Sequence, residues 1–214
     1  MPVSVAGRPL ADRGAGSAPV EDAARIAVVV PSYRVSRSVV DVVRRIGPEC
    51  AFIYVVDDAC PEHSGQRVSD GCRDPRVRVI RHASNEGVGG AVMTGYRQAL
   101  QDGATIVVKL DGDGQMAPEL LPSFVAPLLA GEADYAKGNR FFDLDGLSSM
   151  PSVRLWGNAI LSIVSKLSTG YWNIVDPTNG YTAIHASVLR RLPLAKLSRG
   201  YFFETDVLFR LNTL

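Results

Sequence analysis

Three short, continuous apolar runs, each closed by a polar cluster, constrain this chain more than any other feature. Ile26–Val30 is ended by Pro31-Ser32-Tyr33, Phe52–Val56 by Asp57-Asp58, and Thr105–Leu110 by Asp111-Gly112-Asp113. Runs without polar alternation suit strands buried on both faces, as in parallel sheets. Helical periodicity lies between them. Ser36–Ile46 carries Val39, Val40, Val42, Val43 and Ile46; a helix opened by Asn85 and Gly87 reaches Gln101; Pro118–Leu129 has a proline near its first turn. Val77–Arg81, alternating with arginine, reads as a less buried strand, and Asp134–Lys137 as a further one. Strand–helix alternation implies right-handed crossovers and an α/β fold, a mainly parallel sheet flanked by helices. In such a sheet the three strand tips converge on one edge, where ligands bind.

Asp111-Gly112-Asp113-Gly114-Gln115 is the most chemically loaded of these tips. Two carboxylates at i and i+2 offer oxygen ligands that suit Mg²⁺ or Mn²⁺, completed by phosphate and water. The glycines let the backbone turn and a bulky anion approach. Taken alone, an Asp/Gly surface turn explains the same residues. An EF-hand is excluded because its glycine and glutamate positions hold Met116 and Pro122. A dinucleotide fingerprint at Gly87-Val88-Gly89 fails because Val92 stands at the third glycine position, and no G-x-x-x-x-G-K-[ST] is present.

The chain of 214 residues is long enough for one sizeable core. Its 23 basic and 22 acidic residues leave a net charge of +1, which gives no electrostatic case for nucleic acid. Cys50, Cys60 and Cys72 match no metal-ligand spacing and fit a reducing compartment. Residues 1–25, rich in Ala, Gly, Pro and Ser, read as a disordered leader before a domain spanning 26–214. No apolar run approaches the roughly 18 residues that a membrane span requires. Val153–Leu167 carries Leu155, Trp156, Ile160, Ile163, Val164 and Leu167 at helical spacing, which suits core packing or a helix lying at a membrane surface. Tyr201–Leu214 reads as a helix from near Glu204 that ends without a cap, as in a C-terminally truncated domain.

With these motifs assembled, the chain resembles glycosyltransferase family 2 enzymes of the GT-A (Rossmann-like) fold. Within them it is most similar to the polyprenyl-phosphate glycosyltransferase branch that includes dolichol-phosphate mannosyltransferases. The likeness runs from Ile26 onward. It rests on Val30-Pro31-Ser32-Tyr33, Val56-Asp57-Asp58-Ala59, Asn85 to Ala91, Asp111 to Gln115 with Pro118-Glu119, Gly138-Asn139-Arg140-Phe141, and Glu204-Thr205-Asp206. Two places depart from the family pattern: Arg34-Val35 follows the tyrosine, and Ala59-Cys60-Pro61 follows the aspartate pair.

The resemblance implies a metal-dependent, inverting transfer of a sugar from a UDP- or GDP-sugar to a lipid phosphate or a glycan hydroxyl. Pro31, Ser32, Tyr33, Asp58, Gly87 and Asp111 would bind the nucleotide, with Tyr33 stacking on the base and Asp58 accepting from a base N–H. Asp113, with Asp111, would ligate Mg²⁺ or Mn²⁺. Arg140, Asn179 and Gly180 would meet a phosphate or the acceptor. Asp206 is implied as the active-site acid on the late helix, with Glu204 sharing that duty or stabilising the helix's first turn. The expected location is cytoplasmic, at the inner face of a membrane. A non-catalytic nucleotide-sugar-binding module is the alternative. A nucleotidyltransferase is disfavoured because Pro31-Ser32-Tyr33 is not a basic glycine-rich loop.

Overall fold

The computed structural model describes residues 3–6, 24–138 and 179–213. Strands β1 (Val3–Ala6), β2 (Ile26–Ser32), β3 (Cys50–Asp57), β4 (Val77–Arg81), β5 (Ile106–Lys109), β6 (Tyr135–Gly138) and β7 (Thr182–His185) form one sheet in the order β1-β6-β7-β5-β2-β3-β4. Around it lie α1 (Val39–Arg44), α2 (Ser64–Gly71), α3 (Gly87–Gln101), α4 (Leu121–Leu129), α5 (Ala186–Leu189) and α6 (Phe203–Asn212).

The four strands β5, β2, β3 and β4 are parallel neighbours. Each apolar run splits its residues between two cores by the period of two that a strand imposes. Ala27, Val29, Tyr54, Val56 and Val107 pack with Ala91, Tyr96, Leu189 and Phe203. Val28, Val30, Ile53, Val55 and Val108 pack with Val39, Val42, Phe124 and Leu128 on the opposite side. Both faces of β2, β3 and β5 are therefore covered, which is why these three strands lack the polar alternation that β4 shows. Gly95 seats α3 closely, because a Cβ there would lie 2.3 Å from Val29 Cγ1. Register places Ser32 beside Asp57 and Val29 beside Lys109, so the tips of β2, β3 and β5 stand together.

Three features differ from the sequence expectation. Val3–Ala6, inside the stretch read as a disordered leader, is an edge strand antiparallel to β6. β7, a four-residue strand that the sequence pattern does not flag, runs antiparallel between β5 and β6 and makes that half of the sheet mixed. α2 is polar, with Val68 its buried apolar side chain, and forms where the Asp57 carboxylate accepts the Cys60 and Gly65 amides at 2.8 and 2.7 Å. The amphipathic segment Val153–Leu167 lies outside the described residues. Among the described residues, no helix is long and apolar enough to cross a membrane.

Candidate active site

The strand tips open on a cavity of about 590 Å³. Pro31 and Ser32 close β2 and Tyr33 follows it, Asp58 follows β3, and Asp111, Gly112 and Asp113 follow β5. The far wall is made by the start of α3 and by Tyr201 and Glu204 around the start of α6. The convergence expected from three polar strand ends is thus what the structure shows.

At its floor lies a residue that the sequence reading passed over. Lys109, the last residue of β5, is buried at 1% exposure. Its ammonium reaches Asp111 Oδ1 at 2.7 Å, Glu204 Oε1 at 2.9 Å and the Gly180 carbonyl at 3.3 Å. Three N–H donors thereby meet three acceptors, as a buried ammonium requires. Burial alone would push the Lys109 pKa down; the Asp111 and Glu204 carboxylates outweigh it and hold the group above its usual range. The signal available in sequence was a single charge at the end of an otherwise apolar run.

Gly180 is part of the same arrangement. A Cβ there would lie 2.0 Å from Asp111 Oδ2 and 2.6 Å from Lys109 Nζ, so only glycine leaves room for the ion pair. Asn179 is fully buried, its Oδ1 accepting the Tyr181 amide and its carbonyl accepting from the buried Lys137. Neither residue is among the described residues that line the cavity. They shape its floor from beneath.

Asp113 is exposed, with Oδ1 accepting the Gln115 amide at 2.9 Å across the turn that Gly114 makes at φ +82°. Tyr33 is 40% exposed on the rim, with the Arg34 guanidinium 5.3 Å from its ring centre. Arg34 adopts φ 57°, and its amide donates to Cys60 Sγ at 3.0 Å, which anchors this turn to the loop after β3. Ser32 Oγ is buried and has no hydrogen-bond partner among the described residues. A hydroxyl left unpaired beside a cavity is costly unless a ligand satisfies it.

Asp58 and Gly87 line the cavity, and both also hold its wall together. Asp58 Oδ1 lies 2.8 Å from both His82 Nδ1 and the Glu86 amide, and Oδ2 accepts the Gly87 amide at 2.8 Å. With three of roughly four acceptor positions filled, this carboxylate holds the start of α3 and keeps about one position for a ligand donor. Gly87 and Gly89 admit protein backbone, not an anion. Cβ atoms there would lie 2.4 Å from the Arg199 carbonyl and 2.2 Å from the Ser198 carbonyl, and the Gly89 amide donates to Arg199 O at 2.8 Å.

On the late helix the two acids of the Glu204-Thr205-Asp206 motif are placed differently. Two helical positions are about 200° apart, so Glu204 and Asp206 cannot face the same cavity. Glu204 points inward to Lys109. Asp206 points away: Oδ2 accepts the Ser198 amide at 2.8 Å and Oδ1 pairs with Arg210 Nε at 2.9 Å. Asp206 does not line the cavity. Arg140 lies outside the described residues.

The carboxylate set admits a divalent ion. Asp113 keeps one oxygen without a partner among the described residues, Asp111 is 28% exposed, and two such oxygens suffice where phosphate and water complete the shell. Among the described residues, no group of three or more His, Cys, Asp or Glu is gathered as a preformed metal cage.

Comparison with known proteins agrees with this geometry. Residues 27–193 match the family model for glycosyl transferase family 2. Polyprenol monophosphomannose synthase of Mycolicibacterium smegmatis is 32% identical over 206 residues, covering 93% of this chain and 77% of that protein. Undecaprenyl-phosphate mannosyltransferase of Micrococcus luteus is 31% identical, over 87% of this chain and 77% of the relative. Among solved structures, glucosyl-3-phosphoglycerate synthase of Mycobacterium tuberculosis, in complex with Mn²⁺, UDP-glucose and phosphoglyceric acid, superposes with a TM-score of 0.66. At 22% identity, over 90% of this chain and 68% of the other, that likeness speaks to the fold.

Proposed function

The chain belongs to glycosyl transferase family 2, and from that premise we propose that its cavity transfers a sugar, with inversion, from a nucleoside-diphosphate sugar to a polyprenyl phosphate. One observation carries the reading: Asp111, Asp113 and Glu204 gather around one cavity, with Lys109 beneath and the unpaired Ser32 hydroxyl beside them. The names of the relatives support the acceptor class, since two of them act on polyprenol or undecaprenyl phosphates.

Tyr33 offers its exposed face to the donor base, and Ser32 Oγ takes a polar group of the donor. Asp113 and Asp111 would hold Mg²⁺ or Mn²⁺, which would supply positive charge to the diphosphate. Asp58 and Gly87 act indirectly, by fixing the wall against which the nucleotide lies. A lipid phosphate is already an anion at neutral pH, so no strong base has to deprotonate it. Glu204, aimed by Lys109, then stabilises positive charge developing on the sugar ring. Arg140 remains our candidate for the acceptor's phosphate, a role that a guanidinium fork suits.

The test is calorimetric titration of UDP and GDP with and without Mn²⁺, for wild type and Asp113→Asn, followed by assay of sugar transfer to undecaprenyl phosphate. Mn²⁺ should strengthen binding to wild type and not to the variant. Equal affinities in every arm remove the metal role. Donor binding with no transfer returns the chain to a nucleotide-sugar-binding module.

A further inference from the structure

We propose that the outer face of α6, together with the segment leading into it, docks the protein on an anionic lipid bilayer. Tyr201, Phe202 and Phe209 are 97%, 63% and 49% exposed, and they are three of the five exposed large hydrophobic side chains among the described residues. Isolated apolar side chains on a surface need no explanation, but a cluster marks an interaction site. Helical geometry puts these residues together. Phe202 and Phe209, seven positions apart, stand on the same side of α6, two turns apart. Phe203, Val207 and Leu208 face the core.

The charge around the aromatics selects the partner. Lys196 and Arg199 are both exposed, and Arg199 Nη1 meets Glu86 Oε2 at 3.3 Å while remaining 69% exposed. The Lys196 carbonyl accepts from Arg210 Nη2 at 2.9 Å, and the Ser198 amide donates to Asp206, so this segment lies directly against α6. No acidic residue occurs from Ala186 to Phe203, and Asp206 on the outer face is paired with Arg210. Aromatic side chains beside basic ones fit the boundary of an anionic membrane. A second copy of the chain would set like charges of the two patches against each other across a two-fold axis.

The patch is also continuous with the cavity, because Tyr201 lines it. This part of the inference rests on the proposed transfer reaction: a polyprenyl tail stays in the bilayer, so its phosphate enters only a cavity that opens at the membrane surface.

Co-sedimentation of the full chain with phosphatidylcholine vesicles, and with vesicles also containing phosphatidylglycerol, tests the proposal without donor or acceptor. Wild type should bind the anionic vesicles, less so as salt rises. Lys196→Gln and Arg199→Gln should each lower the partition about fivefold, the equivalent of ~1 kcal/mol per basic group. Phe202→Ser with Phe209→Ser should lower it about tenfold through lost apolar burial. UDP binding, measured on the same samples, should be unchanged and shows that the variants are folded. Equal partition of wild type and variants, or no binding by a chain that still binds UDP, overturns the proposal. A wild-type dimer that Phe202→Ser with Phe209→Ser dissolves, without vesicle binding, overturns it in favour of a second copy. Vesicle binding by a chain that transfers no sugar upholds docking and removes only the transfer reading.

Discussion

Replacing Lys109 by Met removes the buried ammonium that joins Asp111 to Glu204 while nearly preserving its volume. Two carboxylates, 28% and 9% exposed, are then left facing one another without their shared counter-charge. Breaking a buried ion pair from one side costs about 3–5 kcal/mol, and the partial exposure of Asp111 argues for the lower end, about 3 kcal/mol. For a domain of this size each kcal/mol moves Tm by about 2–4 °C, so Tm should fall by roughly 6–12 °C. The same vacancy should attract a divalent cation in the absence of nucleotide. Thermal unfolding is followed by circular dichroism, with and without Mn²⁺. Mn²⁺ should raise the Tm of Lys109→Met more than that of wild type, because ligands stabilise the state that binds them. A Tm for Lys109→Met equal to that of wild type, with no greater response to Mn²⁺, would show that the lysine is not the electrostatic keystone of this floor.

Gly180→Ala should displace the Asp111 carboxylate, whose Oδ2 lies 2.0 Å from the new Cβ position; donor affinity measured by calorimetry should fall at least severalfold, and an unchanged value would refute the close-packing argument. Glu204→Gln should lower kcat by roughly 10²-fold or more while leaving donor affinity near wild type, as loss of charge stabilisation in the transition state does. Asp206→Asn should instead lower stability by about 1–2 kcal/mol through its lost charged hydrogen bonds, with a smaller loss of turnover than Glu204→Gln; the reverse ranking in steady-state assays would return the active-site role to Asp206. Tyr33→Ala should weaken UDP or GDP binding by about 1–3 kcal/mol, by analogy with base–aromatic stacking, without altering the Mn²⁺ requirement.

The fold was legible where a strand's surroundings write themselves into composition. β2, β3 and β5 are covered on both faces, so their runs are apolar apart from Lys109 and their ends are marked by polar clusters. β7 and α2 left no such mark. β7 is four residues long and owes its conformation to pairing with β5 and β6, which no local pattern encodes. α2 is polar and forms because Asp57 caps its start from the neighbouring strand. Tyr33, Ser32, Asp111 and Asp113 were legible for the same reason as the strands, since each sits at a tip. Lys109 was hidden by its place within a run, although a lysine between two covered faces must have partners.

A motif records which residues occur, not what approaches them. Gly87 and Gly89 have the spacing of an anion cradle, yet the group that fills their space is the backbone of Ser198 and Arg199, more than a hundred residues later in the chain. Glu204 and Asp206 look equivalent in a three-residue motif, but a helix turns them to different sides. The neighbours distinguish them. Arg210 stands four residues after Asp206 and pairs with it on the outer face. Glu204 shares its side of the helix with Val207 and Leu208, so it is an acid set into a core stripe. An acid in that position is buried at a cost unless a cation meets it, and the cation here comes from the far end of β5. Glu204 and Lys109 therefore had to be found together, each explaining why the other is tolerated, and that mutual dependence sets Glu204, our candidate for the active carboxylate, on the inner side of α6.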